Sequence, residues 1–245
     1  MFTDTHCHIY HEYYENPDEI FNNAINNHVN RFIVCGCSKK DNDEVLSIKR
    51  KDVYKVIGFH PDQVSIYQDS DIEELRNYQE QIIAIGEIGL DYYYGKDDIE
   101  KQKELFRSQL KLAEELNLPV VIHSRDAVMD TINILKEYHV HGVIHSFSGS
   151  LEVAKEYIKM GFVLGINGVI TFKNCNLKEV IKEIGVDNII LETDSPYLTP
   201  VPYRGLKNEP SHIYDIAQFV SDLCEIDMEK LSEITNHNIK RVFDI

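Results

Sequence analysis

The chain opens with FTDTHCHI over Phe2–Ile9, a short run that ends in two histidines spaced two residues apart. Successive side chains of a β-strand point to opposite faces, so Asp4, His6 and His8 are expected on one face. A His-x-His pair alone arises easily by chance in a chain with 11 histidines. Whether this pair indicates a metal site therefore depends on how many strand-like runs follow, and on which residues lie at the ends of those runs.

Eight short apolar runs alternate with longer amphipathic stretches along the sequence. The strands are predicted at Phe2–Ile9, Arg31–Cys37, Tyr54–His60, Ile82–Gly86, Pro119–His123, Gly142–Ser146, Phe162–Ile166 and Asn188–Glu192. The helices are predicted at Pro17–His28, Asp41–Arg50, Asp71–Glu80, Ile99–Leu116, Ala127–Tyr138, Leu151–Met160, Leu177–Ile184, Ile213–Cys224 and Met228–Phe243. This alternation indicates parallel strands with right-handed crossovers. Eight units predict an α/β fold of the TIM type, a (β/α)8 barrel, as a single domain over residues 1–245.

The composition indicates the cellular compartment and excludes some classes of binding partner. The net charge is -16, from 41 acidic and 25 basic residues, which argues against a broad basic surface for nucleic acid. A phosphate-bearing substrate stays possible, because bound divalent cations supply local positive charge. The 5 cysteines lack CxxC spacing and the first strand starts at once, so we expect neither a disulfide framework nor a signal peptide. With no apolar stretch near the roughly 20 residues that span a bilayer, we expect a soluble, cytoplasmic protein without membrane contact or an obligate protein partner.

Residues that can bind metals gather at the ends of the predicted strands. Besides the first strand, they are His60 at the end of the third, Glu87 and Asp91 after the fourth, His123 at the end of the fifth, His145 at the end of the sixth, and Glu192 and Asp194 at the end of the eighth. The carboxyl ends of the strands of such a barrel converge on one face. Histidines with a purely structural role would be expected at both ends of the barrel, so their clustering at one end predicts a metal site.

The chemistry of these side chains suggests two ions that share a ligand. Imidazole and carboxylate groups suit zinc, manganese or iron, and two such ions about 4 Å apart can share a carboxylate. Glu87 is long enough to bridge them. The predicted sets are His6, His8 and Asp194 on one ion, and His123 and His145 on the other. A divalent ion lowers the pKa of a coordinated water, whose proton Asp194 could accept, while Asp4 is expected to orient a ligating histidine.

Ordered motifs over nearly the full length resemble those of the TatD family of metal-dependent hydrolases, a group associated with deoxyribonuclease activity. The matching segments are Asp4–His8, Gly58–Pro61, Gly86–Asp91, Ile122–Arg125, His145–Gly149, Gly168–Lys173, Leu191–Leu198, Arg204–Gly205, Asn208–Pro210 and Asn238–Phe243. The resemblance implies a metallo-dependent hydrolase barrel that uses two divalent cations (Mg²⁺, Mn²⁺ or Zn²⁺).

The resemblance also implies roles for individual residues. The first metal would be held by His6, His8, Glu87 and Asp194, and the second by Glu87, His123 and His145. The catalytic pocket would include His60 and Glu192 beside Asp194. No ligand position of the family is missing from this sequence.

Cationic and aromatic residues near the same strand ends are candidates for substrate binding. Arg125, Lys173 and Arg204 could hold a phosphate beside the metals. The alternative for each is a salt bridge with one of the many acidic residues. In the run Tyr92–Tyr94 one ring could stack on a base, while the other two pack beneath the loop.

Three functions are compatible with these features. The leading hypothesis is a deoxyribonuclease that hydrolyses phosphodiester bonds and trims single-stranded ends. The alternative is an amidohydrolase-type enzyme for ester or C–N bonds, such as an aminoacyl-ester deacylase. Many such barrels bridge their metals with a modified lysine on the fourth strand, where this chain has Glu87 and no lysine. A metal-binding protein without catalysis is the third hypothesis, and the presence of Asp194 argues against it.

Overall fold

The computed structural model of this protein describes residues 1–94 and 96–245, without the side chain of Asp97. Within these ranges eight parallel strands form one sheet, in which neighbouring strands follow chain order. The strands are β1 (Phe2–Cys7), β2 (Val29–Cys35), β3 (Val53–Ile57), β4 (Ala84–Asp91), β5 (Val120–Arg125), β6 (Gly142–Ile144), β7 (Phe162–Ile166) and β8 (Ile189–Leu191). Helices separate the strands, and the predicted (β/α)8 fold is confirmed.

The helices surround this sheet. They are α1 (Pro17–Asn26), α2 (Lys39–Ser47), α3 (Asp69–Leu75), α4 (Ile99–Leu116), α5 (Val128–Leu135), α6 (Leu151–Lys159), α7 (Leu177–Ile184), α8 (Ile213–Cys224) and α9 (Met228–Phe243). The bounds of α4, α7, α8 and α9 match the prediction. Helix α3 ends earlier than predicted, because the chain tightens into a 3-10 turn over Arg76–Gln81. None of the helices in the described ranges combines the length and apolarity needed to cross a bilayer.

Strands β1 and β8 nearly close the sheet into a barrel. A parallel bridge joins Cys7 to Ser195. The amide of Asp194 donates to the His6 carbonyl over 2.9 Å, and the amide of His8 donates to the Ser195 carbonyl over 2.8 Å. Because β8 has already ended, the segment that follows it completes the seam and brings Asp194 beside the two histidines.

One apolar layer fills the barrel with side chains from β2 to β8. It consists of Ile33, Cys35, Val56, Ala84, Val121, Val143, Val163 and Ile190. Ile239 and Phe243 of α9 pack against this layer. Asn238 of α9 donates to the carbonyls of Val186 and Ile189 over 3.0 and 2.8 Å, where β8 begins. Helix α9 therefore covers the amino end of the barrel, and the carboxyl end stays available for a site.

Strand β4 is longer than predicted. Its pairing with β5 continues from Ile88 opposite Ile122 to Asp91 opposite Arg125. Glu87 therefore lies inside β4 and Asp91 ends it, so the prediction that both residues follow the fourth strand is wrong. The apolar run in the sequence stops at Gly86 because the side chains of Glu87 and Asp91 face the polar site, whereas Ile88 and Leu90 are buried in the hydrophobic core.

Three buried side-chain amides hold the backbone at the carboxyl end. Asn42 of α2 exchanges two hydrogen bonds with the backbone of Gly58. Gln109 of α4 does the same with Phe59, at 2.8 and 2.9 Å, and fixes the residue before His60. Gln102, two turns earlier on the same face of α4, forms the same pair of hydrogen bonds with the backbone of Asp91. These three residues could not be predicted from the sequence, because an amide at a buried helix position carries no local motif.

Candidate metal centre

Four side chains converge at the seam between β1 and the segment after β8. The Nε2 atoms of His6 and His8 lie 3.1 Å apart. Glu87 Oε2 lies 3.2 Å from His6 Nε2 and 3.6 Å from His8 Nε2. Asp194 Oδ1 lies 3.8 and 3.5 Å from the same two nitrogens. We refer to His6, His8, Glu87 Oε2 and Asp194 as the first group.

The other oxygen of Glu87 faces two more histidines. Glu87 Oε1 lies 2.8 Å from His123 Nδ1 and 3.8 Å from His145 Nε2. These three side chains form the second group. The structure therefore brings together all six residues that the sequence analysis named as metal ligands. It also places the two oxygens of Glu87 towards different groups, as a bridging carboxylate requires.

The donor set fits a cation better than a hydrogen-bond network. His8 Nδ1 lies 3.0 Å from the backbone oxygen of Cys35, which can only accept a hydrogen bond. The neutral ring therefore carries its proton on Nδ1, and its Nε2 offers a lone pair. That lone pair faces the His6 ring and two carboxylate oxygens, in a pocket where His6 and Glu87 are almost fully buried. Imidazole nitrogens and carboxylate oxygens in this mixture are ligands for divalent ions.

The charges of the two groups hold protons on some histidines when no cation is bound. Burial opposes protonation of His145, but the Glu192 and Asp194 carboxylates outweigh it and raise its pKa to about 10. Burial also opposes protonation of His123, and hydrogen bonds to two carboxylates raise its pKa to about 9. Burial works against ionisation of Glu87 as well, but the neighbouring His145 charge helps to hold its pKa well below the usual range.

Metal loading should therefore release protons at neutral pH. His123 and His145 carry protons below their raised pKa values, and each must lose one before it can bind a cation. We expect release of up to about two protons at pH 7.5, with affinity for the metal rising as pH increases towards 9–10. Calorimetric titrations in buffers of different ionisation enthalpy measure this number. Proton-neutral binding at pH 7.5 would contradict the expectation.

Asp4 does not orient a histidine ring. Its carboxylate accepts hydrogen bonds from the Thr193 amide over 2.9 Å and the Thr193 hydroxyl over 2.5 Å. It also accepts one from the backbone amide of His6 over 3.3 Å. Burial raises its pKa to about 8, although the Thr193 hydrogen bonds oppose the shift. Asp4 ties β1 to the segment after β8, and its contact with the predicted ligand His6 is to the backbone amide and not to the ring.

The remaining candidates for the catalytic pocket occupy different positions. His60 lies beyond β3, before the 3-10 turn Pro61–Ser65, and its Nε2 is 3.9 Å from Glu87 Oε1. The side chain of His60 is 15% exposed, so it borders the opening of the pocket. Glu192 is fully buried behind His145, with its Oε1 atom 2.9 Å from His145 Nδ1. His60 can meet a substrate, whereas Glu192 contacts His145 from behind and is closed to a substrate.

The three candidate substrate-binding cations are exposed at the carboxyl end. Arg125 ends β5, Lys173 follows β7 and Arg204 follows β8. Arg204 Cζ lies 4.0 Å from the centre of the Phe172 ring. Among the side chains that the structure describes, none forms an ion pair with these three residues. The salt-bridge alternative therefore does not apply to them within the described ranges.

Two tyrosines beside β4 are exposed, contrary to expectation. Tyr93 is 54% exposed and Tyr94 is 75% exposed. Arg125 Cζ lies 4.1 Å from the Tyr93 ring centre and 4.9 Å from that of Tyr94. Tyr92 alone is half-buried, and its hydroxyl donates to Asp130 over 2.7 Å. Two rings rather than one are therefore exposed at the surface.

The barrel, with His, Asp and Glu side chains clustered at its carboxyl end, defines a metallo-hydrolase type of protein. The sequence model of the family described as "TatD related DNase" matches residues 3–244. The chain belongs to this TatD family and is a metal-dependent hydrolase of that type.

Individual relatives agree with this assignment. The chain is 41% identical to the "Uncharacterized metal-dependent hydrolase YabD" of Bacillus subtilis (strain 168), over 100% of both chains. It is 33% identical to the similarly named YcfH of Escherichia coli (strain K12), over 100% of this chain and 96% of the relative. The crystal structure of YJJV, a TatD homologue from Escherichia coli K12, superposes with a TM-score of 0.94 at 27% identity, covering 100% of this chain and 98% of that one.

Proposed function

We propose that this protein is a deoxyribonuclease that hydrolyses phosphodiester bonds in single-stranded DNA and works from strand ends. In this proposal residues 1–245 act as one hydrolase unit in the cytoplasm, with two divalent cations held by the first and second groups. The observation that carries the DNA assignment is the set of cations at the mouth of the barrel, Arg125, Lys173 and Arg204, which lack ion-pair partners among the described side chains. In a chain of net charge -16, cations left unpaired beside a metal centre suit phosphate binding.

The aromatic rings beside these cations favour a single strand. The exposed Tyr93 and Tyr94 rings flank Arg125, so a base could stack where a phosphate is held. Stacking of a base on an aromatic ring contributes about 1–3 kcal/mol and does not depend on base identity. A duplex hides its base faces and carries more charge towards an acidic surface. Short strands and ends therefore suit this site better than long duplexes.

The residues of the site divide the chemistry among them. The bound cations would supply Lewis-acid charge and lower the pKa of water at the site. Asp194 is kept ionised because nearby His145 and His8 outweigh the effect of burial on its pKa. Its carboxylate can accept the proton of the water that attacks phosphorus. His60, at the opening, is placed to contact the reacting phosphate.

An assay on several substrates tests the proposal. Protein stripped of metal and reloaded with Mg²⁺, Mn²⁺ or Zn²⁺ is offered end-labelled single-stranded DNA, duplex DNA and an aminoacyl ester. We expect stepwise shortening of single strands, slower attack on the duplex and no ester turnover. Ester turnover without DNA degradation would favour the deacylase alternative and overturn the proposal.

Removal of the Arg125 side chain should weaken substrate binding specifically. Loss of a charge-assisted contact to phosphate predicts roughly a tenfold rise in KM for Arg125→Ala, with kcat and metal content nearly unchanged. Steady-state kinetics on a labelled oligonucleotide measure this split. Arg107→Ala is the matched control, because Arg107 on α4 is paired with Glu137 in the turn after α5. An unaltered KM in the first variant would remove Arg125 from the substrate site.

A further inference from the structure

The histidines of the first group are supported by neutral atoms. His8 Nδ1 lies 3.0 Å from the Cys35 carbonyl oxygen. The Tyr10 hydroxyl also lies near this ring nitrogen, at 3.0 Å. His6 Nδ1 lies 3.4 Å from Cys35 Sγ. Both rings thus face Glu87 and Asp194 with one nitrogen and uncharged partners with the other.

The histidines of the second group are supported by carboxylates instead. His123 faces Glu87 with Nδ1, and its Nε2 lies 3.2 Å from Asp91 Oδ2. His145 faces Glu87 with Nε2, and its Nδ1 lies 2.9 Å from Glu192 Oε1. Each ring therefore has a carboxylate on the side away from Glu87, through opposite ring nitrogens, although only the His123–Asp91 contact has hydrogen-bond geometry.

Asp91 is held firmly in the position that this contact requires. Its Oδ1 accepts hydrogen bonds from the backbone amides of Tyr93 and Tyr94 over 2.9 and 3.0 Å. Gln102 fixes its backbone amide and carbonyl over 2.8 and 2.9 Å. With one oxygen committed to the turn, the other oxygen is directed to His123. Asp91 is also buried, so the contact is little screened by water.

Glu192 is held through one of its two carboxylate oxygens. Its Oε1 accepts a hydrogen bond from the Ser146 amide over 2.6 Å. A Cβ atom on Gly165 would overlap the Glu192 carboxylate, so the absence of a side chain on β7 makes room for it. Glu192 is 0% exposed and cannot reach a substrate. Its contacts lead to His145 and to the residue that follows it.

We propose that Asp91 and Glu192 are positioning residues that set the ring orientation and the protonated nitrogen of His123 and His145 for the second cation. The inference rests on the proposed assignment of these histidines to that cation. A ligating histidine whose other N–H donates to a carboxylate is fixed in its tautomer and is a stronger ligand. Retention of the second cation thus depends on two charged partners, whereas retention of the first depends on neutral atoms.

The test measures each cation separately in Asp91→Asn. The amide oxygen of the new side chain keeps the contacts with the Tyr93 and Tyr94 amides, so its NH₂ group faces His123 Nε2 and disfavours a proton there. We expect the second cation to bind about 10–100-fold more weakly, while the first is unchanged. Titration with Mn²⁺ under electron paramagnetic resonance separates the two, because one bound ion gives a six-line spectrum and a coupled pair gives a broadened one.

Asp62→Asn is the matched control. Asp62 Oδ1 lies 3.0 Å from His60 Nδ1, so it is also a carboxylate beside a histidine, but His60 is outside both groups. Unchanged binding of both ions in this variant, with the loss confined to the second ion in Asp91→Asn, supports the inference. If Asp91→Asn binds both ions more weakly to the same extent, or binds both as tightly as the wild type, the inference is overturned. A third ion that binds to the wild type and is lost only in Asp91→Asn also overturns the inference, because Asp91 would then be a ligand.

Glu192→Gln gives an independent second test. The Gln oxygen can still accept a hydrogen bond from the Ser146 amide, so we expect the fold to persist. Because the carboxylate charge beside His145 is lost, we expect the second ion to bind about tenfold more weakly. Thermal unfolding of the metal-free protein checks the fold. No DNA is involved in these titrations. A protein that fails to cleave DNA but shows the selective loss would refute the proposed function and leave this inference intact.

Discussion

Glu87→Ala is expected to abolish binding of both cations and to remove activity with them. Its two oxygens face different histidine groups, at 3.2 Å from His6 and 2.8 Å from His123. Loss of an outer partner of a ligand costs about 10–100-fold in metal affinity, so loss of a shared ligand should exceed 100-fold for each ion. Elemental analysis after gel filtration, followed by titration of the stripped variant, measures this loss.

Glu44→Ala provides the control for this variant. Glu44 also pairs with a histidine, His11, at 2.8 Å, but on the outer helix α2. The Glu44→Ala variant should bind two ions per chain, like the wild type. Two ions retained by Glu87→Ala would show that no carboxylate bridge exists, and one retained ion would show that Glu87 serves a single group.

Asp194→Asn is expected to lower kcat by roughly 10²–10⁴-fold, the range for loss of a general base. The Asn side chain keeps an oxygen near His6 and His8 but cannot accept a proton. Both cations should therefore remain bound at millimolar metal, which separates this variant from Glu87→Ala. Single-turnover cleavage of labelled single-stranded DNA, with metal content measured on the same sample, gives both quantities.

Asp52→Asn is the comparison for this experiment. Asp52 is an aspartate before β3, at the amino end of the barrel, where it pairs with Arg50. It should cleave DNA at the wild-type rate. Wild-type cleavage by Asp194→Asn would exclude Asp194 as the base. Complete loss of the first cation would assign its effect to metal binding alone.

Much of this site was predictable because strand ends in a (β/α)8 barrel meet on one face. Because the sequence indicates eight strands, the positions of His6, His8, His123 and His145 within strands or at their ends imply that these side chains converge. The pairing of the two Glu87 oxygens with different groups follows from the same convergence. These features follow from the order of the residues along the chain and from the fold class, which the alternating apolar and amphipathic segments indicate.

Other features depend on contacts between residues far apart in the chain. The partner of His8 Nδ1 is a backbone carbonyl, that of Cys35, and a carbonyl leaves no signature in a sequence. Asp4 was expected to orient a ligating histidine, but its carboxylate accepts two hydrogen bonds from Thr193 on the opposite side of the seam. The exposure of Tyr93 and Tyr94 depends on how the turn after β4 is held, which periodicity does not reveal.

Anomalous diffraction from crystals loaded with Mn²⁺ tests the carboxylate-bridged pair of cations most directly. The account predicts two anomalous peaks about 4 Å apart, the spacing of shared-ligand metal pairs. One peak should contact His6, His8 and Asp194, the other should contact His123 and His145, and each should contact one oxygen of Glu87. A single peak at full metal loading, or a second peak that does not touch Glu87, would contradict it.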